Sequence, residues 1–509
     1  MQIELLDTTL REGEQTSGVS FSTSEKLNIT RLVLCELNVP RIEIASARVS
    51  SGEFESVKSV CDWARATNNI HKIEILGFID NGLSIEWVKG VGGCVINFLA
   101  KGSLKHCELQ LGKSLDEHYN DIYANVMQAA DNGLDVNIYL EDWSNGITKS
   151  PQYVYDLMDR LIQLPIKRFM LPDTLGILNP NQVYEYCKRM VNRYPDAHFD
   201  FHAHNDYDLA TANSFAAGLV GIQGLHCTIN GLGERAGNAP LASVVAVVHD
   251  MLHKTTGINE TNINKVSHIV ESFSGIVVPP NQPVVGEFVF TQCAGVHADG
   301  DNKSNLYYND LLPERFGRER QYALGKMSGK ANIRKNLEAL GIELSENDIK
   351  KVTQRVIELG DKKEIVTPDD LPYIVSDVLK HSSPTTNKVR IINYALSLTQ
   401  GLRPTATIKL EVNGVEYQQS AVGDGQYDAF VKAVKKIYNE NLNRHFPMLT
   451  NYTVSIPPGG RTDALVQTNI TWEHNGHIIK TRGLDADQIE AAIQATLKML
   501  NTVENMYNQ

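Results

Sequence analysis

The stretch HFDFHAHND, residues 198–206, sets His202 and His204 one residue apart, with His198 just upstream. If this segment is a strand, side chains two apart share a face, and the two imidazoles project side by side as a chelating pair. Such pairs are more often hydrogen-bonded structural histidines, so the motif needs company before it reads as a metal site. An enzymatic metal centre takes about three protein ligands and keeps positions open for substrate. Glu12, next to Arg11 in DTTLREGEQ, is the candidate carboxylate, and Asn238 in INGLGERAGNAPL could add an amide oxygen. Gly231, Gly233 and Gly237 of that segment do not have the G-x-G-x-x-G dinucleotide spacing; they suit a tight loop presenting Glu234, Arg235 and Asn238.

Residues this far apart need a fold that gathers them. Eight β-rich runs alternate with helical patterns over the first 255 residues: IELLDTTL, RIEIAS, KIEILGFI, CVINFLA, DVNIYLED, KRFMLPDT, HFDFHAHND and GLHCTINGLG. Eight β/α units in series predict a (β/α)₈ TIM barrel, the alternative being a doubly wound open sheet. The polar residues favour the barrel, because in nearly every run they stand at the C-terminal end: Arg11 and Glu12, Ser46, Glu141 and Asp142, Asp173 and Thr174, His202 and His204, Asn230. A barrel brings all its strand ends to one mouth.

The 509 residues exceed one ordinary core, and the net charge of -12 with no basic block argues against a nucleic-acid or anionic-membrane partner. Seven scattered cysteines without a C-x-x-C pair read as reduced thiols, and no leader or apolar run of membrane length is found, so a cytoplasmic protein is expected. The expected division is a catalytic barrel over 1–272, a linker and helical subdomains over 273–386, and an α+β regulatory domain over 387–509. Pro279, Pro280 and Pro283 suggest a rigid extended linker. Helical patterns follow from Lys330, after Ser345 and from Thr367-Pro368. The last part holds a weak repeat, each half read as a hairpin turning on Asn-Gly (Asn413-Gly414, Asn475-Gly476) and then a helix, hence two ββα repeats. Such a module is either a packing or dimerisation domain or a small-molecule sensor.

Four motifs in order, DTTLREGEQ, FHAHND, NGLGERAGNAPL and AGVHADG from Ala294, resemble the metal-dependent acyl-CoA condensing enzymes, the isopropylmalate, homocitrate and citramalate synthases. The resemblance covers almost the whole chain, including LGKMSGKANI at Leu324. It implies that Glu12, His202, His204 and Asn238 hold a divalent metal (Mn²⁺, Mg²⁺ or Zn²⁺), that acetyl-CoA is co-substrate, and that the protein is a homodimer. Most isopropylmalate synthases have Asp at the position of Glu12, whereas homocitrate synthases typically have Glu.

Homocitrate synthases place an Arg four residues before the glutamate matching Glu141; this chain has Asn137, which leaves a second substrate carboxylate without a cation. VNIYLEDWSNG is similar instead to citramalate-forming members with a long regulatory region, in which Leu76, Leu99 and Tyr139 would surround the methyl group of pyruvate; the leucines alone would equally suit barrel core. Tyr139, two residues before Glu141, fills space that branched 2-oxoisovalerate would need, and overpacking costs about 1 to 3 kcal/mol. The expected reaction is therefore acetyl-CoA with pyruvate, the alternative acetyl-CoA with 2-oxoisovalerate. In it Thr174 binds the substrate carboxylate, Glu141 is the general base and Arg11 stabilises the developing oxyanion. His297, Asp299, Asn305, Leu306 and Tyr307 match a segment completing the acetyl-CoA site, with His297 able to assist proton transfer. Feedback by a branched-chain amino acid, isoleucine if pyruvate is the substrate, is implied for the C-terminal module. Tyr427 and Asp428 are its candidate contacts, although a helix N-terminus would use the same residue types. A catalytically silent amino-acid-binding regulator would show an eroded site; here Arg11, Glu12, Glu141, His202, His204 and Asn238 are all present.

Overall fold

The computed structural model describes residues 2–303, 306–361, 366–379, 388–455, 466–485 and 487–507. The chain divides into two units, residues 1–291 with 305–321, and residues 292–304 with 322–509.

In the first unit all eight expected runs are strands: β1 (Glu4–Asp7), β2 (Arg41–Ser46), β3 (Ile73–Phe78), β4 (Val95–Lys101), β5 (Asp135–Glu141), β6 (Ile166–Asp173), β7 (Phe199–Ala203) and β8 (Gly224–Cys227). They form a closed barrel in sequence order, with β1 pairing in parallel with β8. Alternation along each strand explains why. On β4 and β5 the outward Ile96, Phe98, Val136, Ile138 and Leu140 are buried in the main core beneath the helices. The alternate residues face the lumen, where Leu6, Leu76, Tyr139 and Met170, with Leu99 against them, make a separate apolar group. Register aligns Leu99 with Tyr139 and Tyr139 with Met170, and sets Lys101 beside Glu141 one layer further toward the mouth. The helices between strands start where local chemistry allows: Ser22 with Glu25, Ser114 with Glu117 and Asn179 with Gln182 are reciprocal N-terminal caps.

The segment after the barrel corrects one expectation. Around Pro279, Pro280 and Pro283 the chain does not extend but folds back in turns, Gln282 N–H donating to Pro279 O (2.8 Å), Gly286 N–H to Gln282 O (2.8 Å) and Phe288 N–H to Pro280 O (2.8 Å). Val284 and Val285, directly after Pro283, are buried in the barrel's core. Burying their apolar area outweighs the extended bias of the prolines and holds Val284 at φ +70°, a costly backbone for a β-branched residue.

In the second unit, helices Lys330–Ala339, Glu346–Asp361 and Leu371–Leu379 bury Ile333, Leu337, Val352, Val356 and Leu371 against one another. Thr367 caps as expected, exchanging bonds with Asp370, and Pro368 opens a 3₁₀ turn ahead of the third helix. The C-terminal repeat is real, but each half has one strand more than the expected ββα. Val389–Ser397, Thr405–Val412 and Val415–Val422 make one antiparallel sheet, and Met448–Ser455, Val466–His474 and His477–Asp485 another. Each is followed by a helix, Gln426–Lys436 or Gln488–Met506. The extra strands lie at sheet edges and are largely exposed, so they lack the inward apolar alternation by which a strand is read. Both hairpins turn on Asn-Gly with positive φ, as the sequence requires. Among the described residues no helix is long and apolar enough to cross a membrane.

Candidate active site

β7 aims Asp200 and His202 into the lumen, and His204 follows at the mouth in a backbone bridge with Asn238. Glu12, on the loop after β1, closes on them: one ligand-type atom each of Glu12, His202 and His204 lies within 4.8 Å of the others. Glu12 Oε2, His202 Nδ1, His204 Nδ1 and Asn238 Oδ1 are all buried and none has a hydrogen-bond partner. An unmet buried polar atom costs about 1 to 3 kcal/mol, so four on converging residues need an explanation, and a carboxylate, two imidazoles and an amide oxygen are a donor set that could hold a divalent cation. Burial, with His204, His226 and Arg11 nearby, holds His202 well below the ordinary histidine range, and burial with Arg235 and Arg11 lowers His204 to about 4. Both are neutral at pH 7, as ligation requires.

The glycines of NGLGERAGNAPL do what their spacing suggested. A Cβ on Gly237 (φ +85°) would meet Gly231 O at 1.9 Å, and one on Gly233 would meet Asn238 Nδ2 at 2.1 Å. Asn238 Nδ2 donates to Leu232 O (3.1 Å), which leaves the buried Oδ1 as an acceptor without a partner. Arg235 pins the loop through Asp206 Oδ1 (2.7 Å) and Thr174 O (2.7 Å).

Arg11 is buried and already holds three partners. Its Nη1 pairs with Glu12, its Nε donates to Glu43 Oε2 (2.5 Å) and its Nη2 to the Tyr139 hydroxyl (3.1 Å). Of five guanidinium N–H groups, two remain for an anionic oxygen. Tyr139 starts from β5, opposite β1 in the ring, yet its hydroxyl reaches Arg11, Glu43 on β2 (3.2 Å) and His226 on β8 (3.2 Å). Its ring therefore lies across the lumen, edge-on to His202 with centroids 6.1 Å apart. Leu76 and Leu99 flank it.

Glu141 pairs with Lys101, which is itself fixed by two contacts: its N–H donates to His118 Nε2 (3.0 Å) and its carbonyl accepts from the Tyr153 hydroxyl (3.0 Å). Burial lowers His118 to about 4, keeping that nitrogen free to accept. The Thr174 hydroxyl oxygen accepts the Asp142 N–H (2.9 Å), so its own proton can be donated elsewhere. Lys101, Glu43, Asn97, Asp200, His226 and Met170 are buried close to these residues, and the sequence alone did not single them out.

Other expected site residues stand outside the barrel strands. His297 and Asp299 lie on the helix Gly295–Asn302 of the second unit, Asp299 paired with Lys303 (2.7 Å). Leu306 and Tyr307 belong to the stretch grouped with the barrel and are exposed; Asn305 lies outside the described residues. Tyr427 joins the two halves of the C-terminal module, its hydroxyl 2.7 Å from Thr496 Oγ1 and its ring 5.4 Å from that of Tyr452. Asp428 does serve the helix start: it accepts the Asp424 N–H (2.8 Å) and pairs with Lys432 (2.6 Å).

Residues 2–270, more than half of the chain, match the HMGL-like family. The chain belongs to that family. Beyond the HMGL-like barrel, residues 284–364 match the homocitrate synthase post-HMGL domain-like family and residues 365–504 the LeuA allosteric (dimerisation) domain. Among relatives of this HMGL-like chain, an (R)-citramalate synthase of Methanocaldococcus jannaschii is 32% identical over 99% of this chain and 100% of its own length. A 2-isopropylmalate synthase of the same organism is 31% identical over 99% and 95%, and one of Pyrococcus furiosus 33% over 99% of each. Overall identity thus does not separate the two reactions; the pocket has to.

Proposed function

We propose that the protein condenses acetyl-CoA with pyruvate and water to give (R)-citramalate and CoA, acting as a cytoplasmic homodimer under feedback control by a branched-chain amino acid. The observation that carries this reading is the Tyr139 ring lying across the lumen beside His202, with Leu76 and Leu99 against it. That floor accommodates a methyl group and crowds an isopropyl group, a difference of about 1 to 3 kcal/mol. The equal resemblance to isopropylmalate synthases makes 2-oxoisovalerate the second reading.

Glu12, His202, His204 and Asn238 would hold a divalent cation (Mn²⁺, Mg²⁺ or Zn²⁺), which when bound supplies Lewis acidity to a 2-oxo acid. Thr174 donates its hydroxyl proton to the substrate carboxylate and so fixes which face of the ketone is presented. Glu141, oriented by Lys101, removes a proton from the acetyl methyl, and the carbanion so formed adds to the keto carbon of pyruvate. Negative charge then builds on the former keto oxygen, and the remaining N–H groups of Arg11 stabilise it. Water cleaves the thioester and releases CoA, which makes the sequence irreversible. His297 assists proton transfer, and Asp299, Asn305, Leu306 and Tyr307 contact acetyl-CoA. Isoleucine is the proposed effector, with Tyr427 and Asp428 among its contacts.

Thiol release from acetyl-CoA tests the substrate directly. Pyruvate is expected to give a kcat/KM at least about tenfold above 2-oxoisovalerate; the reverse order would establish the second reading.

A further inference from the structure

Behind Tyr139 the lumen contains a chain of buried polar groups that the proposed chemistry does not use. His226 Nδ1 lies 3.2 Å from the Tyr139 hydroxyl and its Nε2 3.1 Å from Asp200 Oδ2. Asp200 also accepts from Arg41 Nη1 (2.7 Å) and pairs with His198 Nε2 (3.0 Å). Arg41 is held in turn by Glu74, Nε to Oε1 at 2.6 Å. Gly224, the register partner of Asp200 on β8, is what leaves room: a Cβ there would sit 1.9 Å from Asp200 Oδ1. Four strands thus contribute to holding one imidazole against one phenol.

The three partners of the Tyr139 hydroxyl are not equivalent. Arg11 and Glu43 belong to the reacting end, where Arg11 also pairs with Glu12. His226 ties the ring directly to Asp200, whereas Glu43 reaches the same network only at second hand, through Asn97 Nδ2 (2.7 Å) and Glu74. A tyrosine side chain has two rotatable torsions, and ring bulk without an anchored hydroxyl does not define a floor, because the ring can turn and let a longer chain descend. We propose that His226 is a positioning residue for substrate selectivity: by anchoring Tyr139 across the lumen it fixes the depth of the pocket and so the length of the 2-oxo acid accepted. This rests on the reading that the site takes a 2-oxo acid, but not on pyruvate being the best of them.

The test is the ratio of kcat/KM for pyruvate to that for 2-oxobutyrate and for 2-oxoisovalerate, in the full-length enzyme and three variants. An asparagine amide sits where imidazole Nδ1 does, and a glutamine amide where Nε2 does. His226→Gln therefore keeps the Asp200 bond and loses the one to Tyr139, whereas His226→Asn does the opposite. His226→Gln and Tyr139→Phe should each lower the preference for the shorter acid about tenfold, the amount one methylene is worth in an apolar pocket. His226→Asn should retain the wild-type ratio, and the double variant His226→Gln/Tyr139→Phe should lose no more than either single one. A fall in kcat shared equally by all substrates, with the ratio unmoved, would reduce His226 to a structural residue and overturn the proposal; should His226→Gln not fold, an unmoved ratio in Tyr139→Phe does the same. Wild type that prefers 2-oxoisovalerate overturns only the pyruvate reading, and wild type inactive with every 2-oxo acid overturns both.

Discussion

At the scale of single residues, the cluster of Glu12, His202 and His204 was legible because metal chemistry restricts residue type and spacing so strongly. Two imidazoles one residue apart on a strand have to share a face, and Glu12 and Asn238 were the acid and amide at the other strand ends that could meet them. The layer beneath was illegible for a physical reason. Glu43 in RIEIAS and Glu74 in KIEILGFI look like solvent-facing positions of an amphipathic strand, yet parallel barrel strands are buried on both faces, so a mid-strand acid there faces the lumen. Asn97 Nδ2 bridging Glu43 Oε1 (2.7 Å) and Glu74 Oε2 (2.8 Å) shows what those acids are for. The unpaired atoms at the mouth lead to a prediction. His202→Ala and His204→Ala should each fail to retain Mn²⁺ through gel filtration and lose at least about 100-fold in kcat/KM, since Lewis acidity is worth several kcal/mol. Asn238→Asp should keep the metal. Metal content by elemental analysis beside activity checks this, and full Mn²⁺ retention in both histidine variants would contradict it.

At the scale of elements, eight strands were readable because hydrophobic runs bounded by turn residues recur with the βα period, whereas the Pro279–Pro283 segment was not, since local proline bias says nothing of the core that Val284 and Val285 enter. What joins the ends of β1 and β8 is a short buried relay. Asp7 Oδ1 accepts the Thr9 N–H (3.1 Å) and its Oδ2 the Thr9 hydroxyl (2.9 Å), while Thr9 Oγ1 accepts the Ile229 N–H (2.8 Å). Burial raises the Asp7 carboxyl to about 7, above the usual 3.8. Below about pH 4 the group is protonated in folded and unfolded chains alike; between about 4 and 7 only the unfolded chain releases its proton, so stability falls as pH rises through that window and is level above it. Asparagine mimics the neutral acid and does not titrate. Asp7→Asn should therefore match wild type near pH 4 and exceed it by roughly 1 to 3 kcal/mol at pH 8 in urea unfolding of the barrel. A difference that does not change with pH would show that Asp7 is not the group responsible.

At the scale of the whole molecule, catalytic and regulatory chemistry are written in different kinds of signal. The barrel's site is a convergence of polar residues from many strand ends, which a sequence displays as recurrent position; an effector site on a small α+β module is mostly shape, which it does not display. The structure adds one constraint. Both halves of the module share a single core in which Ile408, Leu410, Phe430 and Val434 of the first half cluster with Ile470, Trp472 and Met499 of the second. Tyr427 crosses the seam between them, through Thr496 Oγ1 and the Tyr452 ring, and burial pushes its hydroxyl well above the ordinary tyrosine range. A ligand that settles between the halves has to displace or contact this residue, whereas Asp428 is already engaged by the Asp424 N–H and Lys432. Tyr427→Ala should therefore raise the isoleucine concentration giving half-inhibition more than Asp428→Asn does, by at least about tenfold if one buried aromatic contact of 1.4 kcal/mol or more is lost. Inhibition curves with isoleucine, leucine and valine, each referred to the uninhibited kcat/KM of the same variant, measure it. A Tyr427→Ala enzyme inhibited like wild type would move the effector site away from the seam, and inhibition by leucine rather than isoleucine would favour the 2-oxoisovalerate reading at the barrel's mouth.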